Sequence, residues 1–178
     1  NVAHEGGVFV TRTMRRDSPD AQAILALNRQ MIAGFGMARG VAHTEFIRAE
    51  DGRFYFLETA ARVGGANIEE LVAAAVGVNL WAEWARLETA YALGEPYPIP
   101  ADKGEYAGVL ICLARQEWPD LSGYHDSEIV FRLNKKYHAG LIVASPDKDR
   151  VETLIAAYAQ RFAYDFLAVA PPLDKPPA

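Results

Sequence analysis

The stretch Gly40-Val-Ala-His-Thr-Glu-Phe-Ile-Arg-Ala-Glu-Asp-Gly-Arg-Phe-Tyr-Phe-Leu-Glu-Thr-Ala60 decides the fold. Two runs rich in aromatic and branched residues flank Asp51-Gly52, a dipeptide that favours the tight reversal of a β-hairpin. With Asp51 and Gly52 as the two loop residues, Glu50 faces Arg53, Ala49 faces Phe54, Ile47 faces Phe56 and Glu45 faces Glu58. Two carboxylates about 4 Å apart repel by roughly 4 kcal/mol at an effective dielectric of about 20. A shared proton, a nearby arginine or a divalent cation offsets such repulsion, and the cation is the preferred reading. The plain alternative is a surface pair that splays into water at little cost.

The residues after the hairpin favour the cation. Arg62 comes four residues after Glu58, then Gly64-Gly65, then Asn67-Ile-Glu-Glu70, which reads as a helix start with an N-cap and a capping-box-like Glu70. A strand-end carboxylate, a guanidinium, a glycine pair that lets backbone approach a ligand and a helix N-terminus together make a site for an anion and its metal.

Composition bounds the rest. At 178 residues, 51% hydrophobic and with a net charge of -5, the chain reads as a globular protein of one large domain or two small ones. No apolar run approaches the roughly 18 residues of a membrane span and no basic stretch precedes a short apolar one, so the expectation is a cytoplasmic protein with no membrane partner. The acidic balance argues against nucleic acid, and Arg12 with Arg15-Arg16 is too short a basic cluster to oppose it. The single cysteine, Cys112, sits in the apolar run Ala107 to Ala114 and reads as buried and inert. The four histidines lack metal-ligand spacing, though His43 shares the glutamate face.

Along the chain, strand-like and helix-like segments alternate. Gly7 to Thr13 reads as a strand; Ser18-Pro19-Asp20 opens a helix with Ile24, Leu27, Met31 and Phe35 at helical spacing. After Asn67 come a short helix and a second one capped by Asn79, along which Leu80, Trp84, Leu87 and Tyr91 read as a core stripe. Gly94 with Pro96, Pro98 and Pro100 marks a boundary. Beyond it, Tyr106 to Ala114, Glu128 to Leu133 and His138 to Ala144 read as strands. Ser145-Pro146-Asp147 starts a helix that buries Val151, Leu154, Ile155, Tyr158 and Phe162, and a short strand near 165–169 comes after it. The expected fold class is α+β, an antiparallel sheet with flanking helices followed by a smaller α/β unit. The expected domains are 1–100 and 101–170, with a disordered proline-rich tail over 171–178.

Gly40 to Arg62, Gly64-Gly65, Gly77-Val-Asn-Leu80 and the exit Leu93-Gly-Glu-Pro96 resemble the C-terminal half of an ATP-grasp domain, the catalytic fold of carboxylate-amine ligases, biotin carboxylase and carbamoyl-phosphate synthetase. The likeness runs from about residue 20 to residue 100. It implies that Glu45 and Glu58 hold magnesium between nucleotide phosphates, that Ile47 lies against the adenine, and that Arg62 contacts phosphate or an acyl-phosphate intermediate. ATP and magnesium are thus the implied cofactors and a small carboxylate the implied substrate.

Two departures bear on the family reading. Ala60 stands where the family often carries an Asn as a further metal ligand, and Val63-Gly64-Gly65-Ala66 replaces the Gln-Val-Glu-His run of biotin carboxylase. A carboxylate-amine ligase is therefore expected ahead of a biotin-carboxylase-like fragment, with a non-catalytic interaction module as a third reading. The lysine-bearing lid and the N-terminal substrate domain of the family have no counterpart in this sequence, so the expectation is a piece of a longer enzyme, inactive alone. Its uncovered apolar surface is expected to drive association, with a homo-oligomer as one outcome.

Overall fold

The computed structural model describes residues 6–169. The proline-rich tail expected to be disordered lies outside the described residues, as does His4. In chain order the elements are β1 (Phe9–Arg12), α1 (Pro19–Gly34), β2 (His43–Arg48), β3 (Phe54–Ala60), α2 (Ile68–Val76), α3 (Leu80–Leu93), β4 (Tyr106–Leu113), β5 (Ile129–Arg132), β6 (His138–Ser145) and α4 (Lys148–Asp165). The fold class is α+β, with all strand pairs antiparallel and helices flanking them. Among the described residues, no helix is long and apolar enough to cross a membrane.

The chain divides into two compact units, residues 14–103 and a second that joins the segment before Met14 to the segment from Gly104 onward. β1 belongs to the second, because it pairs with β4 in the register Phe9 to Ile111 through Arg12 to Gly108. Sequence reading places it with the hairpin, since strand pairing at long separation leaves no local trace.

The second unit is a four-stranded sheet in the order β1-β4-β6-β5 with α4 packed on β4 and β6. Its central strands are near-continuous apolar runs, as strands covered on both faces must be. The five α4 residues expected to face inward are all buried, with Phe162 fully so, and they join Leu110, Cys112, Leu141 and Tyr124 in one core. Gly108 lets the helix sit down on the sheet: a Cβ there would lie 2.5 Å from Ile155 Cγ1. Tyr124 packs edge-on to Phe162 with ring centroids 5.2 Å apart, and its hydroxyl donates to Asp165 Oδ2 at 2.8 Å. The cap of α4 is Asp147, whose side chain accepts from the Asp149 N–H; Ser145 ends β6 instead of capping the helix. The strand expected near 165–169 is a single bridge between Leu167 and Ala114. Burial pushes the Cys112 thiol up to about 11, so it is a core side chain and no nucleophile.

The 14–103 unit is built differently. Ser18 caps α1 by accepting the Ala21 N–H at 3.2 Å, and Asn79 caps α3 by accepting the Ala82 N–H at 2.8 Å. Yet its buried apolar side chains among the described residues are only Ala21, Val63, Leu71 and Ala75. The core stripe expected on α3 is only half-covered: Leu80, Trp84 and Leu87 are half-buried, Tyr91 is 63% exposed, and α3 has no fully buried residue; on α1, Ile24 and Met31 are half-buried while Phe35 is 64% exposed. Periodicity places these groups on one side of a helix; whether another element covers that side is a separate matter.

Candidate metal and nucleotide site

β2 and β3 form a two-stranded ribbon in which Glu45 and Glu58 are direct cross-strand partners. The route to this pairing differs from the two-residue loop expected. Ala49 N–H donates to the Arg53 carbonyl at 2.8 Å and Gly52 N–H donates to the Ala49 carbonyl at 2.9 Å, so the loop holds three residues, Glu50 to Gly52. Gly52 takes φ +84°, the left-handed conformation such a loop needs, and the Asp51 carboxylate accepts the Arg53 N–H at 3.0 Å. That bond comes first among the causes holding the Asp51 carboxyl below its ordinary range.

The longer loop moves the register by one residue. Ile47 meets Tyr55 and Phe46 meets Phe56, in place of the expected Ile47 to Phe56 pair. A bulge then leaves Leu57 without a partner, and from Glu45–Glu58 onward the pairing regains the register first expected.

Pairing and alternation sort the side chains onto two faces. One carries Phe46 and Phe56, with ring centroids 6.3 Å apart, and Thr44 with Thr59, whose hydroxyls are 2.8 Å apart. Phe35, at the end of α1, approaches Phe56 with centroids 6.5 Å apart, and Arg48 pairs with Asp20 of α1 at 3.2 Å, so α1 lies over that face. The opposite face carries the glutamates, His43 and the Ile47–Tyr55 pair. Glu58, Ile47 and Tyr55 are all exposed there, and the Glu45 side chain is 44% exposed. Carboxylates next to an open apolar pair can receive a ligand that is charged at one end and planar and apolar at the other.

Arg62 stands just past the end of β3, exposed, with its Nη1 donating to the Val63 carbonyl at 3.1 Å. Among the described residues, no ion pair joins it to either glutamate. The segment after it departs from the expected helix start. Ala66 and Asn67 both have positive φ, 52° and 60°, and Asn67 makes no side-chain cap although it holds the cap position of α2. A left-handed backbone does not present the side chain to the first-turn N–H groups as an extended N-cap does. Of the glycine pair, Gly65 is open, whereas a Cβ on Gly64 would lie 3.0 Å from Ile68 Cγ2 and 3.2 Å from His43 Cδ2. Gly64 therefore makes room for side chains, not for a ligand.

Two polar atoms near this region are buried without hydrogen-bond partners, His43 Nδ1 and Glu69 Oε1. Burial raises the Glu69 carboxyl above its ordinary range, with the neighbouring Glu70 charge adding to it. Sequence reading singled out His43 and missed Glu69, Tyr55 and Leu57; strict alternation back from Glu58 gives Phe56, and only the bulge at Leu57 brings Tyr55 to the glutamate face. Among the described residues, no three His, Cys, Asp or Glu side chains are placed to hold a metal ion. The Glu45–Glu58 pair fits magnesium, which is commonly bound through one or two carboxylates while phosphates and water complete its shell. It does not fit a metal held by protein groups alone.

No family model matches the sequence, and no curated protein matches it. Solved structures do match. An L-amino acid ligase from Bacillus licheniformis superposes with a TM-score of 0.62 at 17% identity, over 93% of this chain and 44% of that one. N5-carboxyaminoimidazole ribonucleotide synthetase from Thermotoga maritima gives 0.62 at 12% identity, over 88% and 44%. The biotin carboxylase domain of a single-chain bacterial carboxylase gives 0.58 at 17%, over 91% and 41%. Identity this low shows likeness of fold alone, and the fold is the one found in ATP-grasp enzymes. The chain spans less than half the length of each of these structures.

Proposed function

We propose that this chain is the magnesium- and nucleotide-binding half of an ATP-dependent ligase, one that activates a carboxylate for attack by an amine or similar nucleophile. The observation that carries the reading is the cross-strand opposition of Glu45 and Glu58 on an exposed face, next to the exposed Ile47–Tyr55 pair. The fold supports it: among the matched structures is a carboxyaminoimidazole ribonucleotide synthase from Aspergillus clavatus complexed with ATP.

In this reading Glu45 and Glu58 hold magnesium, Ile47 lies against the base, and Arg62, exposed beyond β3, takes a phosphate oxygen. When bound, the metal neutralises charge on the nucleotide phosphates. A substrate carboxylate oxygen attacks the γ-phosphorus and ADP leaves, giving an acyl phosphate; the nucleophile then attacks the carbonyl carbon, phosphate leaves, and the amine gives up a proton. Arg62 stabilises the negative charge that accumulates on the transferred group. The rest of the cleft, including a lid over the phosphates, comes from protein outside this chain, which covers 44% of the ligase it superposes on. A carboxylase-like fragment ranks below this reading. The exposed Phe35, Phe56 and Leu57 favour, as a second reading, a non-catalytic module whose hairpin is covered by a partner.

Calorimetry of the chain with magnesium and ATP tests the proposal. Weak or undetectable ATP binding is expected, and submicromolar affinity would contradict the view that half the cleft lies elsewhere. In a longer protein containing this chain, Glu58→Gln is expected to abolish turnover while leaving the fold intact. Near-normal turnover there would remove Glu58 from the chemistry.

A further inference from the structure

The two glutamates have a third neighbour that the proposed ligand set does not use. His43 lies two residues before Glu45 on the same face of β2, with its side chain 21% exposed. Its Nδ1 is buried, has no hydrogen-bond partner, and stands 3.8 Å from Glu45 Oε1. On another side the ring edge is hemmed in by Gly64, where a Cβ would lie 3.2 Å from His43 Cδ2.

A buried nitrogen left without a partner is unfavourable, because it gives up its bond to water and receives none in return. The acceptor facing this one is a carboxylate oxygen about 1 Å beyond hydrogen-bond distance, within reach of a side-chain rotation of Glu45. An ionised carboxylate has four lone-pair sites across its two oxygens, so one bond to an imidazole leaves the others for a cation. Carboxylates that ligate metals are commonly held by such hydrogen bonds, which fix their orientation.

Resting on the reading of Glu45 as a metal ligand, we propose that His43 is a positioning residue whose Nδ1–H donates to Glu45 and holds that carboxylate turned toward Glu58. The proton that matters in this role is the one on Nδ1, which faces Glu45. Gly64 belongs to the same device, because a larger residue there would displace the ring that carries the donor.

Long-range proton–nitrogen NMR of the chain reads the tautomer. The Nδ1–H form of His43 is expected in the wild type and in Glu58→Gln, and a shift toward the Nε2–H form in Glu45→Ala, where the acceptor is gone. An Nε2–H tautomer in the wild type, or a spectrum unmoved by Glu45→Ala, would overturn the proposal.

A titration with Mn²⁺ alone, followed by electron paramagnetic resonance, reads the consequence. His43→Asn places an amide N–H close to where Nδ1 was and is expected to bind within about twofold of wild type, whereas His43→Leu is expected to weaken binding about tenfold. Equal loss in both variants points to packing alone and overturns the positioning role. If the wild type binds no Mn²⁺ while the Nδ1–H tautomer persists, the metal reading of the pair falls and the positioning role falls with it. If Mn²⁺ binds and the tautomer is wrong, only the positioning role falls.

Discussion

Glu45 and Glu58 carry the proposal at the residue scale: like charges set opposite each other across a ribbon are unfavourable, and in the proposed reading a bound cation removes that cost. At the same scale, Arg150 shows the opposite arrangement. Its guanidinium donates to Glu128 Oε1 and to Asp126 Oδ1, each at 2.7 Å. The Arg150 hydrogen bond is the chief cause holding the Glu128 carboxyl down to about 2, from an ordinary value of 4.5. Asp126 is held low first by the Tyr158 hydroxyl and then by Arg150. A carboxyl whose pKa is lower folded than unfolded binds fewer protons in the folded state, so its stabilisation is present above about pH 4.5 and is lost as pH falls toward 2. Replacing Arg150 by Met is therefore expected to raise the Glu128 pKa by at least about one unit, read by carbon-13 NMR of the side-chain carboxyl, and to move acid unfolding to higher pH. An acid midpoint that stays where it was would show that the Arg150 cluster does not govern acid stability.

At the scale of elements, the hairpin shows what local sequence encodes and what it leaves open. Asp51-Gly52 identified the reversal correctly, but the Asp51 carboxylate accepts the Arg53 N–H and draws a third residue into the loop. The facing glutamates were legible because the bulge at Leu57 cancels that extra residue. Bulge and loop each displace the register by one, and neither displacement is visible from side-chain type alone. Deleting Leu57 is accordingly expected to keep Glu45 opposite Glu58 while straightening β3. A cross-strand Hα–Hα contact between Glu45 and Glu58 in NMR spectra of the deletion variant would establish this, whereas a contact from Glu45 to Thr59 would show that Leu57 is not the residue the bulge absorbs. The N-terminus of α2 was misread for a related reason: an Asn before an apolar run signals a cap, but here Asn67 takes the left-handed conformation and contributes its backbone only.

At the scale of the whole molecule, the two units differ in how much they bury. The unit containing β4, β6 and α4 holds a continuous core from Leu110 to Phe166, whereas the 14–103 unit buries four apolar side chains among its described residues and leaves Phe35, Ile47, Tyr55, Phe56, Leu57 and Tyr91 about half exposed or more. Local stability depends on buried apolar contact, so hydrogen exchange is expected to be slowest in β4 and β6 and at least tenfold faster in α3. Uniform protection across both units would show that the chain unfolds as one cooperative body. The exposed set also supports the proposal that the 14–103 unit works against further protein, whether the remainder of a ligase or a second copy of this chain.

The amino-acid sequence by itself determined the kinds and order of the elements from β1 to α4, the inward face of α4, the inert burial of Cys112 and the opposition of Glu45 and Glu58, because periodicity, turn chemistry and strand pairing are set over a few neighbouring residues. Only the tertiary structure decided that β1 completes the sheet through β4, that the stripe of α3 is half-covered and not buried, and that His43 Nδ1 is buried without a partner beside Glu45. Those outcomes depend on which surfaces meet across long stretches of chain, and burial is a property of both partners in a contact, whereas a sequence pattern describes only one of them.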